Sequence, residues 1–97
     1  MGYEYSLTSE DLDVDALYLE IKQIIENVST LKVVFSKENH MGFKVLYTVH
    51  LWRADIEIEK LAQMVYLILH NGNLQNILST LQIDLAAKNL KIMIEEL

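Results

Sequence analysis

The sequence predicts a two-layer α+β domain, an antiparallel sheet of three or four strands with helices on one face. Three observations carry that expectation. Tyr3, Tyr5 and Leu7 alternate with Glu4, Ser6 and Thr8 at the period of a half-buried strand. Val14, Leu17, Ile21, Ile24, Ile25 and Val28 recur at the three- and four-residue steps of an amphipathic helix. Leu31, Val33 and Phe35, then Phe43, Val45, Tyr47, Val49 and Leu51, alternate on either side of a polar, glycine-ended stretch, as the strands of a hairpin do.

Taken in order, the first strand covers residues 3–7, and Thr8-Ser9-Glu10-Asp11 opens a first helix running to about residue 28. The hairpin follows, with Lys37-Glu38-Asn39-His40-Met41-Gly42 as its loop. Asp55 then caps a second helix whose inward positions are Ile58, Leu61, Met64, Val65, Ile68 and Leu69, with Glu57 and Glu59 near its positive end and Asn71-Gly72 as its stop. Ile56-Glu57-Ile58-Glu59 also alternates like a strand, which leaves the start of that helix open.

Leu74, Ile77, Leu78 and Leu81 suggest a further helical stretch. The tail has two readings. As a strand, Leu90, Ile92 and Ile94 alternate with Lys91, Met93 and Glu95, and Lys88-Asn89 supplies the turn; as a helix, Asp84 caps a segment to Leu97. The strand is preferred because three apolar residues in alternation outweigh one cap. The order is then βαββα(α)β, which admits a ferredoxin-like arrangement with one sheet face uncovered.

Composition bounds the rest. The chain of 97 residues is 52% hydrophobic and 23% charged, enough for one modest core over residues 1–97 and too apolar for disorder. With no cysteine, disulfides, thiolate metal sites and a cysteine nucleophile are excluded. Met1-Gly2-Tyr3-Glu4-Tyr5 lacks the basic start and apolar run of a secretory signal, so the cytoplasm is the default location, and Asn27-Val28-Ser29 is read as a chance glycosylation match.

Residues 1–30 hold seven acids (Glu4, Glu10, Asp11, Asp13, Asp15, Glu20, Glu26) and one base, Lys22, and so carry the whole net charge of −6. Nucleic acid and anionic membrane both require clustered Lys and Arg, and neither is expected as a partner. A basic protein, or solvent alone, suits an acidic face.

Motifs for chemistry are weak. Asp11, Asp13 and Asp15 open like a calcium loop, but Ala16 and Lys22 stand where that loop needs glycine and a bidentate glutamate, so no metal is expected. No two of His40, His50 and His70 stand at helical spacing, and a shared site would depend on the tertiary fold. His70 is explained by a helix C-terminus. His50, with Asp55 or Glu57, is the least implausible acid-base group, and no hydroxyl nucleophile has the context of a triad.

The outward side of the hairpin is half apolar, with Val34, Leu46, His50 and Trp52 among charged neighbours, and an apolar patch rimmed by charge suits an interface. Tyr18, beside Asp11 and Asp15, is a second candidate anchor, unless the helix stripe is merely wide. The expected function is therefore a small, acidic, non-enzymatic interaction module that needs no cofactor. It would occlude a protein partner as inhibitors, immunity proteins and antitoxins do, or self-associate as a homodimer. The alternatives are a small-molecule-sensing regulatory domain and a minimal enzyme using His50.

Overall fold

The computed structural model describes residues 3–46 and 54–97. Its elements are β1 (Tyr3–Ser9), α1 (Val14–Glu26), β2 (Leu31–Lys37), β3 (His40–Val45), β4 (Ile56–Lys60), β5 (Val65–Leu69), α2 (Asn76–Ala86) and β6 (Ile92–Glu96), with a short 3-10 turn at Gly72–Leu74. The class is α+β as expected, but the sheet has six strands, all antiparallel, in the order β2-β3-β4-β5-β1-β6. Neither the three or four strands of the sequence reading nor a ferredoxin-like order describes this arrangement.

The difference comes from residues 55–69. The expected second helix is a hairpin, β4 and β5, closed by a turn in which the Leu61 N–H donates to the Met64 carbonyl at 2.9 Å. Ile56, Ile58, Val65, Leu67 and Leu69 are all buried on one side of the sheet, and β-branched chains suit that pleated surface. The alternation at Ile56–Glu59 was therefore the governing signal. Asp55 caps no helix: it is buried, its Oδ2 accepts the Val45 N–H at 2.8 Å, and its own N–H donates to the Phe43 carbonyl at 2.7 Å, which ties the end of β3 to the start of β4.

α1 begins later than the sequence suggests. Asp13 is its cap, accepting the Ala16 N–H at 2.8 Å, and the acid so placed complements the helix dipole. Leu17, Tyr18, Ile21, Ile24 and Ile25 form its buried face. α2 buries Ile77, Leu81 and Leu85, and Asn89 beyond it takes a left-handed conformation (φ 62°) while the Leu90 N–H reaches back to the Leu85 carbonyl at 2.9 Å. That ending stops the helix and turns the chain into β6, so the tail is a strand.

Register fixes the two faces. Tyr5 and Leu7, Met41 and Phe43, Ile56 and Ile58, and Val65, Leu67 and Leu69 share the side on which α1 and α2 pack, and with the helices they make the core. A shift in pairing between Val33 and Phe35 places one extra residue, Val34, in β2 and sends Phe35 to the opposite side, across from Gly42.

Candidate functional site

The side of the sheet away from the helices carries Lys32, Phe35 and Lys37 from β2, His40, Gly42 and Lys44 from β3, Glu57 and Glu59 from β4, and Tyr66 and Ile68 from β5. Glu4, Ser6 and Thr8 from β1 and Met93 and Glu95 from β6 complete it. Among the described residues neither helix lies over this face. Its lysines gather on β2 and β3 and its glutamates on β4, β1 and β6, so the face is basic at one edge and acidic across the rest.

Toward its basic side lies a cluster that spacing along the chain does not reveal. The Glu57 carboxylate bridges two histidines: Oε1 is 2.8 Å from His40 Nε2, and Oε2 is bonded to His70 Nε2. The register of β3 on β4 and of β4 on β5 brings together groups 17 and 13 residues apart. An ionised carboxylate only accepts, so each ring donates its Nε2–H to Glu57. Part burial pushes the Glu57 carboxyl up, but the hydrogen bonds and charge of His70 and His40 outweigh it and hold the group below the ordinary range. His40 also meets the Phe35 ring edge-on, with centroids 4.8 Å apart. Phe35, Lys37, His40 and Glu57 enclose a small cleft of about 140 Å³.

Each histidine nitrogen that faces Glu57 is held by its own carboxylate oxygen, and among the described residues no group of three His, Asp or Glu side chains is arranged to hold a metal ion. No hydroxyl nucleophile is bonded to either ring among the described residues. Through these two hydrogen bonds the cluster forms a polar clasp that ties β3 and the end of β5 to β4. His70 closes β5 and joins this clasp, and it is not at a helix end.

The residues singled out from the sequence separate. Val34 is the extra residue of the β2 irregularity and Leu46 lies just past β3; both are exposed, at 36% and 41%. His50 and Trp52 lie outside the described residues. Tyr18 is buried at 5%, with no hydrogen-bond partner for its hydroxyl among the described residues, which removes it as an anchor and leaves the wide-stripe reading of α1. Burial, and secondarily the charge of Glu59, raise the Tyr18 phenol above its usual value.

The acids of the first 30 residues are largely engaged within the fold. The Asp11 carboxylate accepts the Lys91 N–H at 2.8 Å, Asp13 caps α1, Asp15 pairs with Lys60 at 2.7 Å and Glu20 with Lys88 at 2.8 Å. Asp11 and Asp15 each have a partner within the fold, and both remain exposed.

Fold and site together define an α+β protein with a six-stranded antiparallel sheet that, among the described residues, carries both helices on one side and a mixed-charge face on the other. The chain matches no protein-family model, no curated protein and no solved structure at a significant level. Among the described residues no helix is long and apolar enough to cross a membrane.

Proposed function

We propose that this chain is a non-enzymatic protein-docking module that works through the open face of its sheet, occluding a partner's surface as an inhibitor, immunity protein or antitoxin does. One observation carries the reading: both helices pack on one side, while Tyr66, Ile68 and Phe35 stand half-buried among charged side chains on the other. Leu46 and Met93 extend that apolar area toward the two ends of the sheet. Half-buried aromatic and aliphatic groups within a polar rim give desolvated contact at the centre and steering at the margin. Glu4, Glu59 and Glu95 suit basic groups on the partner. The acidic first 30 residues contribute less to this reading than their composition implies, because Asp11, Asp13, Asp15 and Glu20 are engaged within the fold.

The experiment compares tagged wild-type chain with Ile68→Arg and Gln23→Arg, each recovered from cells of the source organism and quantified by mass spectrometry. A partner retained by wild type and Gln23→Arg but lost with Ile68→Arg supports the open face. A partner lost only with Gln23→Arg moves the site to α1.

A small-molecule-sensing reading has one feature in its favour, an open depression of about 520 Å³ bounded by Thr8, Ser9, Glu10, Lys91, Ile92 and Met93. It requires a metabolite that raises the melting temperature of the isolated chain.

A further inference from the structure

We propose that the chain pairs with a second copy of itself through the outer edge of β6, continuing the sheet across a two-fold axis. This interaction is separate from the open face and stands or falls independently of it.

Backbone parity provides the first argument. The Leu97 N–H donates to the Glu4 carbonyl at 2.8 Å, so with the register of β1 on β6 the residues bonded to β1 are Met93, Glu95 and Leu97. The N–H and C=O of Ile92, Ile94 and Glu96 then point away from β1, and among the described residues no strand pairs with them. An unpaired edge is a template for another strand unless the protein blunts it.

The two edges of this sheet are treated differently. β2 carries the irregularity at Val33/Phe35 and the lysines Lys32 and Lys37, devices that discourage strand addition. β6 pairs with β1 in unbroken register, and Met93 and Leu97 are exposed at 57% and 64%. Its start is held from the β1 side alone, with Ser9 Oγ donating to the Lys91 carbonyl and Asp11 accepting the Lys91 N–H, each at 2.8 Å.

Charge identifies the occupant. In an antiparallel pair of two β6 strands with Ile94 on the axis, Met93 faces the partner's Glu95, Ile92 faces the partner's Glu96 and Lys91 faces the partner's Leu97. No like charges stand directly opposite; Lys91 lies diagonal to the partner's Glu95 twice over by symmetry, and these two attractions offset the single diagonal between Glu95 and the partner's Glu95. The flank of α2 above this edge, Gln82 and Ala86, is uncharged and borders an open groove with Leu90, Lys91 and Ile92, so these two helix positions set no charge against a second α2.

The test is sedimentation velocity on the full chain across the micromolar to sub-millimolar range. Wild type is expected to show a concentration-dependent dimer. Glu96→Pro removes an outward N–H and no bond to β1, and is expected to weaken the dimer at least tenfold with the circular dichroism spectrum unchanged. Lys91→Glu is expected to weaken it as well, and Lys91→Glu with Glu95→Lys to restore it. A chain that stays monomeric throughout the range overturns the proposal, as does a dimer that ignores both Glu96→Pro and Lys91→Glu.

Discussion

The ring of Phe35 lies against Gly42, its cross-strand partner on the open face, so closely that a methyl group at Gly42 would stand 2.7 Å from Cδ2 and 2.8 Å from Cζ. Glycine in a strand interior exposes backbone and loses chain entropy on folding, and an aromatic neighbour laid across it covers that weakness. The same ring meets His40, so one side chain joins the edge of the sheet to the clasp around Glu57.

Gly42→Ala is therefore expected to displace the Phe35 ring and cost about 1–3 kcal/mol, the range for overpacking at a filled site. Urea denaturation of the variant gives the difference directly. An unchanged midpoint would show that the ring moves aside freely.

Glu57→Gln keeps the shape of the side chain and removes the charge that two imidazoles share. The folded-state pKa of Glu57 is depressed, so its contribution is present above the unfolded carboxylate value and is lost as pH falls through the lower folded value. Wild type is expected to exceed Glu57→Gln by about 1 kcal/mol at neutral pH, a figure reduced for part exposure. The two stability curves should converge under acid conditions, below the ordinary carboxylate range. Denaturation midpoints across an acid-to-neutral series check this, and parallel curves would contradict it.

Tyr18→Phe removes a buried hydroxyl that has no partner among the described residues. It is expected to be neutral or to stabilise by up to about 1 kcal/mol, since the desolvation penalty of an unpaired polar group disappears with it. The raised phenol favours the folded state fully below the unfolded tyrosine value, and this share is lost as pH rises through the folded value. The variant should accordingly lose less stability than wild type in strong alkali, measured by thermal melts.

Asn89 stands in the left-handed region after α2, where asparagine and glycine are tolerated and a Cβ without a local hydrogen-bonding group is not. Asn89→Ala is expected to cost about 1 kcal/mol and Asn89→Gly little or nothing. Paired melting curves of the two variants distinguish this backbone effect from loss of the amide side chain.

Much of the fold is legible where one periodicity stands alone. Leu17, Ile21 and Ile25 fit only a helix, while Tyr3, Tyr5 and Leu7 fit only a strand, and both elements are present. Residues 55–69 satisfy both periods, because Ile58, Leu61, Val65, Ile68 and Leu69 fall at helical steps while Ile56, Ile58 and then Val65, Leu67 and Leu69 alternate. The turn between them, Leu61-Ala62-Gln63-Met64, has none of the Gly, Pro, Asn or Asp that marks a hairpin. β-branched Ile56, Ile58, Val65 and Ile68 were the available tie-breaker.

The clasp was hidden for the same reason. His40, Glu57 and His70 meet only through strand register, and a helix drawn over 55–69 places Glu57 and His70 at opposite ends of one element. Once those residues are strands, the alternation of Ile56-Glu57-Ile58-Glu59 alone sends Glu57 to the face that His40 shares. Burial of Tyr18 was less accessible, since the width of a helix stripe depends on what packs above it, here α2 and the sheet.

Site-specific photocrosslinking in cells of the source organism tests the docking face most directly, with the photoreactive amino acid placed at Tyr66 on the open face and at Gln23 on α1. A discrete adduct with another protein is expected from position 66 and none from position 23. Adducts arising only from position 23, or from neither, would contradict an open sheet face that receives a partner.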